Sequence, residues 1–311
     1  MTKQAKGRAG RTIRASRRSA ARRQVDLLPY ALIAPLALLL VVVSFYPTFY
    51  AIWLAMTDAT LLRLARAKFI GLDNVVRAFA DPVFLNGLWK TLRWDLVVVA
   101  GEVVVALPIA LFLDLGFRGR GFVRAAVVVP YIIPPAVTAL MFVYIVDGNF
   151  GVLNDILVRL GAIDSYVSWL SDPLSSFLVT AFAMIWAGTP LMAIIMLAAL
   201  QTIPRELYEA ATMDGANAWQ RFRYVTLPHL MPTITFLVLL RMIWMSNHID
   251  MIYIITRGGP GFANYTEAVY SFMLTSQFQI GYSSAVAVLL AVILTTAAAF
   301  YVRHLARVVL S

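Results

Sequence analysis

"QTIPRELYEAATMDGANAWQRFRYVTLPHLMPT", residues 201–233, lies between two long apolar stretches, near 175–200 and 229–256. It is too polar to cross a membrane and too patterned to be a slack connector. The pattern predicts two short helices. Thr202 is placed to cap the first, and Pro204 suits its first turn, where a missing N–H costs nothing. Glu206 and Glu209 sit in its amino-terminal half, which favours negative charge. Asp214-Gly215 breaks it, because glycine takes positive φ without a Cβ clash. A second helix is expected from Asn217, leading through Leu227-Pro228 into the next apolar stretch. Ala210 and Ala211 leave a low surface that another protein's backbone can approach closely.

Outward from this loop the chain is mostly apolar: 61% of its 311 residues are hydrophobic and only 14% charged, the wrong balance for a surface in water. A spanning helix needs about 20 mostly apolar residues to cross roughly 30 Å of hydrocarbon. Six stretches meet this, near 28–56, 92–115, 124–146, 175–200, 229–256 and 282–302. The expected fold is therefore all-α, a polytopic membrane protein with six transmembrane helices. Proline residues such as Pro35, Pro108 and Pro134-Pro135 are expected to kink the spans.

The net charge of +10 does not point to nucleic acid, because nine of the 26 basic residues fall between Lys3 and Arg23. Residues 1–25 read as a disordered basic tail lying against anionic cytoplasmic lipid, and 26–311 as one transmembrane domain. Arg17-Arg18 precedes an apolar segment much longer than a cleavable signal core, so that segment is read as a retained first span. With no cysteine and only His229, His248 and His304, thiolate chemistry is excluded and a metal centre is not expected.

Placing the amino terminus in the cytoplasm gathers seventeen basic residues on that side, Arg118, Arg120, Arg124, Arg205, Arg221 and Arg223 among them, against eight on the other. Both termini are accordingly expected in the cytoplasm. The outer loop near 147–174, with Asp147, Asp155, Asp164 and Asp172, reads either as a docking excursion for a soluble partner or as Asp and Gly capping of helix ends.

Glu209-Ala210-Ala211, three residues, Gly215, nine residues, Val225, one residue and Leu227-Pro228 together resemble the EAA loop of binding-protein-dependent ABC importer permeases. Val225 stands where the family commonly has Ile. Three further segments are similar to the maltose-type carbohydrate permeases of that family. "FIGLDNVVRAFADPVFLNGLWKTL" at 69–92 carries its F-x-G-L-D-N segment, with Lys90 where Asn often precedes Thr. "GRGFVRAAVVVPYIIPPAVTALMFVYIVDGNFGVLN" at 119–154 includes Pro130, Pro134-Pro135 and the Phe150-Gly151 turn. "DMIYIITRGGPG" at 250–261 matches a D-x-I-Y-x-L-T-x-G-G-P signature, with Arg257 at the variable position.

The resemblance implies the type I importer permease fold in the bacterial inner membrane, and a coupling loop, 201–228, whose helices seat in a groove of an ATPase subunit. Glu209, Ala210, Ala211, Gly215, Leu227 and Pro228 would carry that contact. It also implies a second homologous permease subunit, two ATPase subunits holding ATP and Mg, and an extracytoplasmic solute-binding protein. The chain itself needs no cofactor and is not an enzyme, and its sequence has no G-x-x-x-x-G-K-[ST] phosphate loop.

Ionisable side chains inside a span are costly and mark candidate sites. Arg241, Met245 and His248 follow an i, i+4, i+7 spacing, with Trp244 one turn from both Arg241 and His248, and Asn247 and Asp250 adjoining. Trp186, Gly188 and Thr189 are candidates for the facing wall, with the Trp as a sugar platform. The resemblance places substrate contacts at Gly188, Leu191, Arg241, Met245 and His248. Arg241 and His248 replace the small polar or amide groups of a neutral-sugar permease, and so suggest an anionic sugar or polyol, such as a sugar phosphate, sulfosugar or glycerol phosphate. Two alternatives stay open for them. Arg241 either faces substrate or pairs with Asp250 or an acid of the partner subunit, and His248 either faces substrate or only links helices. Asp95 and Glu102 read as structural. The competing functions are an ion-coupled secondary transporter, which predicts inverted repeats not found here, and an ABC permease for a non-sugar solute.

Overall fold

The structure, a computed structural model, describes residues 28–309, with side chains from 32 to 303. The tail expected at 1–25 lies outside the described residues, as do the side chains of His304 and Arg307.

The chain divides into two units at Phe49/Tyr50. In the first, α1 (Leu28–Leu40) passes through a π-helical turn (Val41–Phe45) into the start of α2 (Tyr46–Ala55), whose last six residues belong to the second unit. The stretch Leu32–Ala55 is apolar enough to span.

The second unit holds the remaining elements. After a 3₁₀ turn (Leu61–Arg66) come α3 (Asp73–Ala80) and α4 (Pro82–Asp114). Helix α4 begins ten residues before the expected span because Asp81 caps it, accepting from the Val83 N–H at 2.8 Å, with Pro82 in the first turn. Then follow α5 (Arg120–Ile132), α6 (Pro135–Ile145), α7 (Val152–Arg159) and α8 (Pro173–Leu200). The polar segment after α8 contains α9 (Arg205–Met213) and α10 (Ala218–Arg221), which runs through a π turn (Phe222–Thr226) into α11 (Leu227–Ser246). The chain ends in α12 (Asp250–Thr256), α13 (Glu267–Ser276) and α14 (Ile280–Val309).

Two expected spans differ. The third is a broken pair, α5 and α6 meeting at 91°. Pro134 and Pro135 supply no N–H, and Ile133 before them is extended (φ −68°, ψ 127°), so the helical ladder cannot continue. The fifth ends at Ser246 rather than running to 256. Asn247 closes α11, its N–H reaching Trp244 O at 3.3 Å and its side chain Ile243 O at 2.9 Å.

Helix directions follow from side-chain pairs. Trp94 meets Phe177 and Glu102 adjoins Gly188, so α4 and α8 run the same way. Asp95 accepts from Ser246 and Glu102 from Arg241, so α11 runs opposite to both. Between two parallel spans the chain must return once, and the bent α5–α6 pair does so; counted as one span, it brings the helices apolar and long enough to cross from five to six among the described residues. The core between α4 and α8 is built from close-packing small and flexible residues: Gly101, Ala106 and Ala110 against Ala181, Met184, Ala193 and Met196. Large apolar side chains such as Val104, Val129, Phe182, Phe236 and Phe300 are exposed, as a lipid solvent requires.

The segment between α6 and α8 is ordered by a buried amide. Asn154 accepts from Trp169 Nε1 (2.9 Å) and the Val167 N–H (3.2 Å) and donates to Val167 O and Asp147 O (3.0 and 3.1 Å). In α13, which is not a span, Glu267 is fully buried against Gly87. Thr91 Oγ1 accepts its N–H at 2.9 Å, while both carboxyl oxygens lack a hydrogen-bond partner. Burial, and secondarily the charge of Asp81, pushes that carboxyl up to about 8.

Candidate functional site

The elbow of the third span opens a cavity of about 380 Å³. Tyr131, Ile133 and Pro135 come from the elbow, Met184 and Gly188 from α8, and Arg241, Trp244, Met245, Asn247 and His248 from α11 and its end. Of the sequence candidates, Gly188, Arg241, Trp244, Met245, Asn247 and His248 are thus brought together. Leu191 and Asp250 are not among the lining residues. Neither is Trp186, which instead packs edge-on to Phe142 at 5.8 Å, nor Thr189. The aromatic face in the cavity belongs to Trp244, whose ring lies 5.9 Å from the Arg241 guanidinium. His248 reaches the cavity from the connector just past the cap of α11, not from a continuous helix.

Arg241 is held by Glu102. Its Nε donates to Glu102 Oε2 at 2.7 Å and its Nη2 to Glu102 Oε1, the fork arrangement that suits a guanidinium and a carboxylate. Glu102 is fully buried and Arg241 is 9% exposed. Gly188 makes the pair possible: a Cβ there would overlap Glu102 Oε1 and Arg241 Nη2. So the acid facing Arg241 comes from α4 of the same chain, where neither Asp250 nor a partner subunit had to supply it. The pair is neutral as a unit. Its guanidinium keeps Nη1 outside the fork, and Asn247, His248 and Tyr131 add polar groups beside aromatic and apolar walls. Such a lining suits a solute with many hydroxyls and a flat apolar face. Asp95, seven residues before Glu102, takes the Ser246 hydroxyl and pins the far end of α11.

The polar segment folds largely as its pattern predicts. Gly215 has φ +79°, and Asn217 caps α10 in a reciprocal box with Gln220, the two bonds being 2.8 and 2.9 Å. Thr202 does not cap α9. Its hydroxyl donates to Ala199 O at 2.8 Å and closes α8, while Pro204 precedes Arg205 with no side-chain cap. Glu209, Ala210, Gly215 and Pro228 are exposed, and Ala211 and Leu227 partly so. The loop is braced by Tyr208 OH to Thr226 Oγ1 (3.0 Å) and Arg221 Nη1 to Thr212 Oγ1 (2.9 Å). It displays unusual apolar surface, Met213 at 88% exposure and Trp219 at 68%.

The other motif residues are architectural. Asn74 of 69–74 is buried and donates to Ala55 O (2.9 Å) and Thr57 O (2.8 Å). Gly258 of 250–261 has φ +81° and lies under the Tyr265 ring. Asn264, three residues past this motif, ties the turn to α8 through Gly259 O (2.6 Å) and Ser176 Oγ (3.0 Å). The elbow residues Tyr131, Ile133 and Pro135 are the cavity groups that sequence reasoning missed, while Glu102, read as structural, holds Arg241 from outside the lining. Its partner was not named from the sequence, whose one signal was an acid inside a span that needs a basic residue opposite.

A family model described as a binding-protein-dependent transport system inner membrane component matches residues 103–310. The chain is 35% identical over 278 residues to the sulfoquinovosyl glycerol transport system permease protein SmoG of Agrobacterium fabrum, covering 89% of this chain and 90% of that one. It is 33% identical over 277 residues to the trehalose/maltose transport system permease protein MalF of Thermococcus litoralis, covering 89% and 92%. Its fold matches a chain in the crystal structure of a bacterial alginate ABC transporter in complex with an alginate pentasaccharide-bound periplasmic protein, with a TM-score of 0.78 and 24% identity over 91% of this chain and 95% of that one.

Proposed function

Because the chain belongs to the family of binding-protein-dependent transport system inner membrane components, we propose that it is the permease subunit of an ATP-driven importer whose solute is a carbohydrate. The observation that carries this reading is the cavity at the elbow of the third span, where Trp244 and Tyr131 offer ring platforms and Asn247, His248 and Arg241 offer hydrogen bonds. Relatives named for sulfoquinovosyl glycerol and for trehalose or maltose support the same solute class.

In this reading Gly188, Trp244, Met245, Asn247 and His248 contact the solute, and Leu191 and Asp250, which do not line the cavity, stay outside the contact set. Arg241 contributes through Nη1 while Glu102 holds it in place. An acidic group on the sugar would meet that nitrogen, so an anionic solute is the sharper form of the proposal. A second permease subunit completes the pathway, and a solute-binding protein delivers the sugar on the face opposite the coupling loop. The exposed Glu209, Ala210, Gly215 and Met213 dock on an ATPase subunit that holds ATP and Mg. Both termini then lie in the cytoplasm.

The test is solute-stimulated ATPase activity of the reconstituted complex with its binding protein, using neutral disaccharides in one series and sulfonated or phosphorylated sugars in the other. Stimulation by an anionic sugar that Arg241→Ala abolishes supports the sharper form. Stimulation by a neutral sugar that survives Arg241→Ala leaves the carbohydrate reading standing and removes the anionic one. No stimulation by any carbohydrate overturns both.

A further inference from the structure

Away from the solute cavity, α4 and α8 end where α5 and α9 begin, and these four ends enclose a second cavity of about 570 Å³. Arg120, Arg124 and Arg205 line it together with Asp114, Gln201 and Tyr208. Three guanidiniums thus face one carboxylate, and among the described residues none of the three makes an ion pair. Arg124 is fixed by donating from Nη2 to Leu113 O at 3.1 Å, and its Nε is buried with no partner. Two helices also start at this cavity without side-chain caps. Helix α5 follows Gly119 (φ +86°) and α9 follows Pro204. The third N–H of each turns back to the cap carbonyl, Phe122 to Gly119 O (3.0 Å) and Leu207 to Pro204 O (3.3 Å), so the first two of each helix, those of Arg120 and Gly121 and of Arg205 and Glu206, are left for another acceptor. Uncapped helix starts beside unpaired guanidiniums form an anion receptor, and the geometry suits phosphate oxygens.

An apolar cleft of about 810 Å³ adjoins it, sharing Asp114, Leu200 and Tyr208 and walled by Leu111, Phe112, Leu115, Trp219 and Phe222. Phe122, on α5 between Arg120 and Arg124, is 81% exposed. The cavity therefore sits where charged helix ends meet membrane-facing apolar side chains. A free anion has no use for the cleft, whereas a phospholipid has both a phosphate and a chain to fill it.

We propose that this is a binding site for an anionic phospholipid, its phosphate on Arg120, Arg124 and Arg205 and an acyl chain in the adjoining cleft. Arg205 and Tyr208 belong to the first coupling helix, so the lipid ties that helix to the ends of α4, α5 and α8. Occupancy then sets how firmly the coupling helix is seated.

The experiment uses the whole transporter, purified with its partner subunits into phosphatidylcholine nanodiscs that contain or lack phosphatidylglycerol, with retained lipid counted by native mass spectrometry. The wild type is expected to retain phosphatidylglycerol with an apparent affinity about tenfold or more above that of R120Q/R124Q, the scale for losing charge-assisted hydrogen bonds. R120K/R124K, which keeps the charge, is expected to recover most of it. Leu115→Trp, which fills the cleft and leaves every charge in place, is expected to weaken retention as well. Retention unchanged in both R120Q/R124Q and Leu115→Trp would overturn the proposal. Complete displacement of the lipid by millimolar inorganic phosphate would overturn it in favour of a free-anion site. Loss of the ATPase subunits from R120Q/R124Q with lipid retention intact would overturn it in favour of a protein carboxylate partner.

Discussion

Arg241 and Glu102 stand 139 residues apart and meet over Gly188, a position where only a hydrogen side chain fits. Removing one partner of such a buried pair leaves the other uncompensated, which costs about 3–5 kcal/mol in other proteins. Glu102→Gln and Arg241→Met are each expected to lower the thermal midpoint of the detergent-solubilised protein, and the double substitution to lower it less than the sum. Full additivity would show that the two groups do not act as a pair. Gly188→Ala is expected to resemble the single substitutions. Arg241 was legible in the sequence as a costly cation within a span, but its counter-charge was not, because no local periodicity links α4 to α11. Glu267 offers a separate test. With its carboxyl raised to about 8 by burial, the folded state keeps a proton that the unfolded state has already released at neutral pH. Stability should therefore fall as pH rises from about 5 to about 8. Glu267→Gln should flatten that slope in melts taken across the range, and an unchanged slope would show that the carboxyl titrates normally.

The polar segment between α8 and α11 was readable because caps and helix breakers are written locally. Gly215 takes positive φ and Asn217 forms its reciprocal box, both as the residue types demanded. Thr202 shows the limit of the same logic. A hydroxyl near a helix boundary can serve either neighbour, and here it closes α8. The apolar stretches set only the number and rough position of the spans. They left the 91° elbow and the early end of α11 to be decided by the Pro134-Pro135 pair and by the Asn247 side chain. Gly215→Ala places a Cβ in left-handed backbone, at a cost of about 1–2 kcal/mol. We expect this substitution to yield an assembled complex whose solute-stimulated ATPase activity is reduced severalfold, read against the transport rate of the same vesicles. Unaltered stimulation would show that this turn does not carry the coupling.

At the scale of the whole molecule, the helix directions place the ends of α4 and α8, the starts of α5 and α11 and the 201–228 loop on one side of the membrane. We propose that this side is the cytoplasm, because it carries Arg118, Arg120, Arg124, Arg205, Arg221 and Arg223. The chain has no cysteine, so single replacements report cleanly. Arg118→Cys, in the exposed turn between α4 and α5, is expected to react with a membrane-impermeant maleimide only after cells are permeabilised, and Ser165→Cys to react in intact spheroplasts. The opposite pattern would invert the protein. The ion pair at the cavity has an electrical consequence as well. A transmembrane potential acts on each elementary charge it moves by about 2.3 kcal/mol per 100 mV. Since Arg241 and Glu102 cancel, moving them together between faces transfers no net charge, so this pair leaves the charge of the cargo as the charge carried through the cavity. Uptake of a neutral sugar into proteoliposomes should therefore be indifferent to an imposed potassium diffusion potential, whereas a sulfonated or phosphorylated one should be held back when the interior is negative.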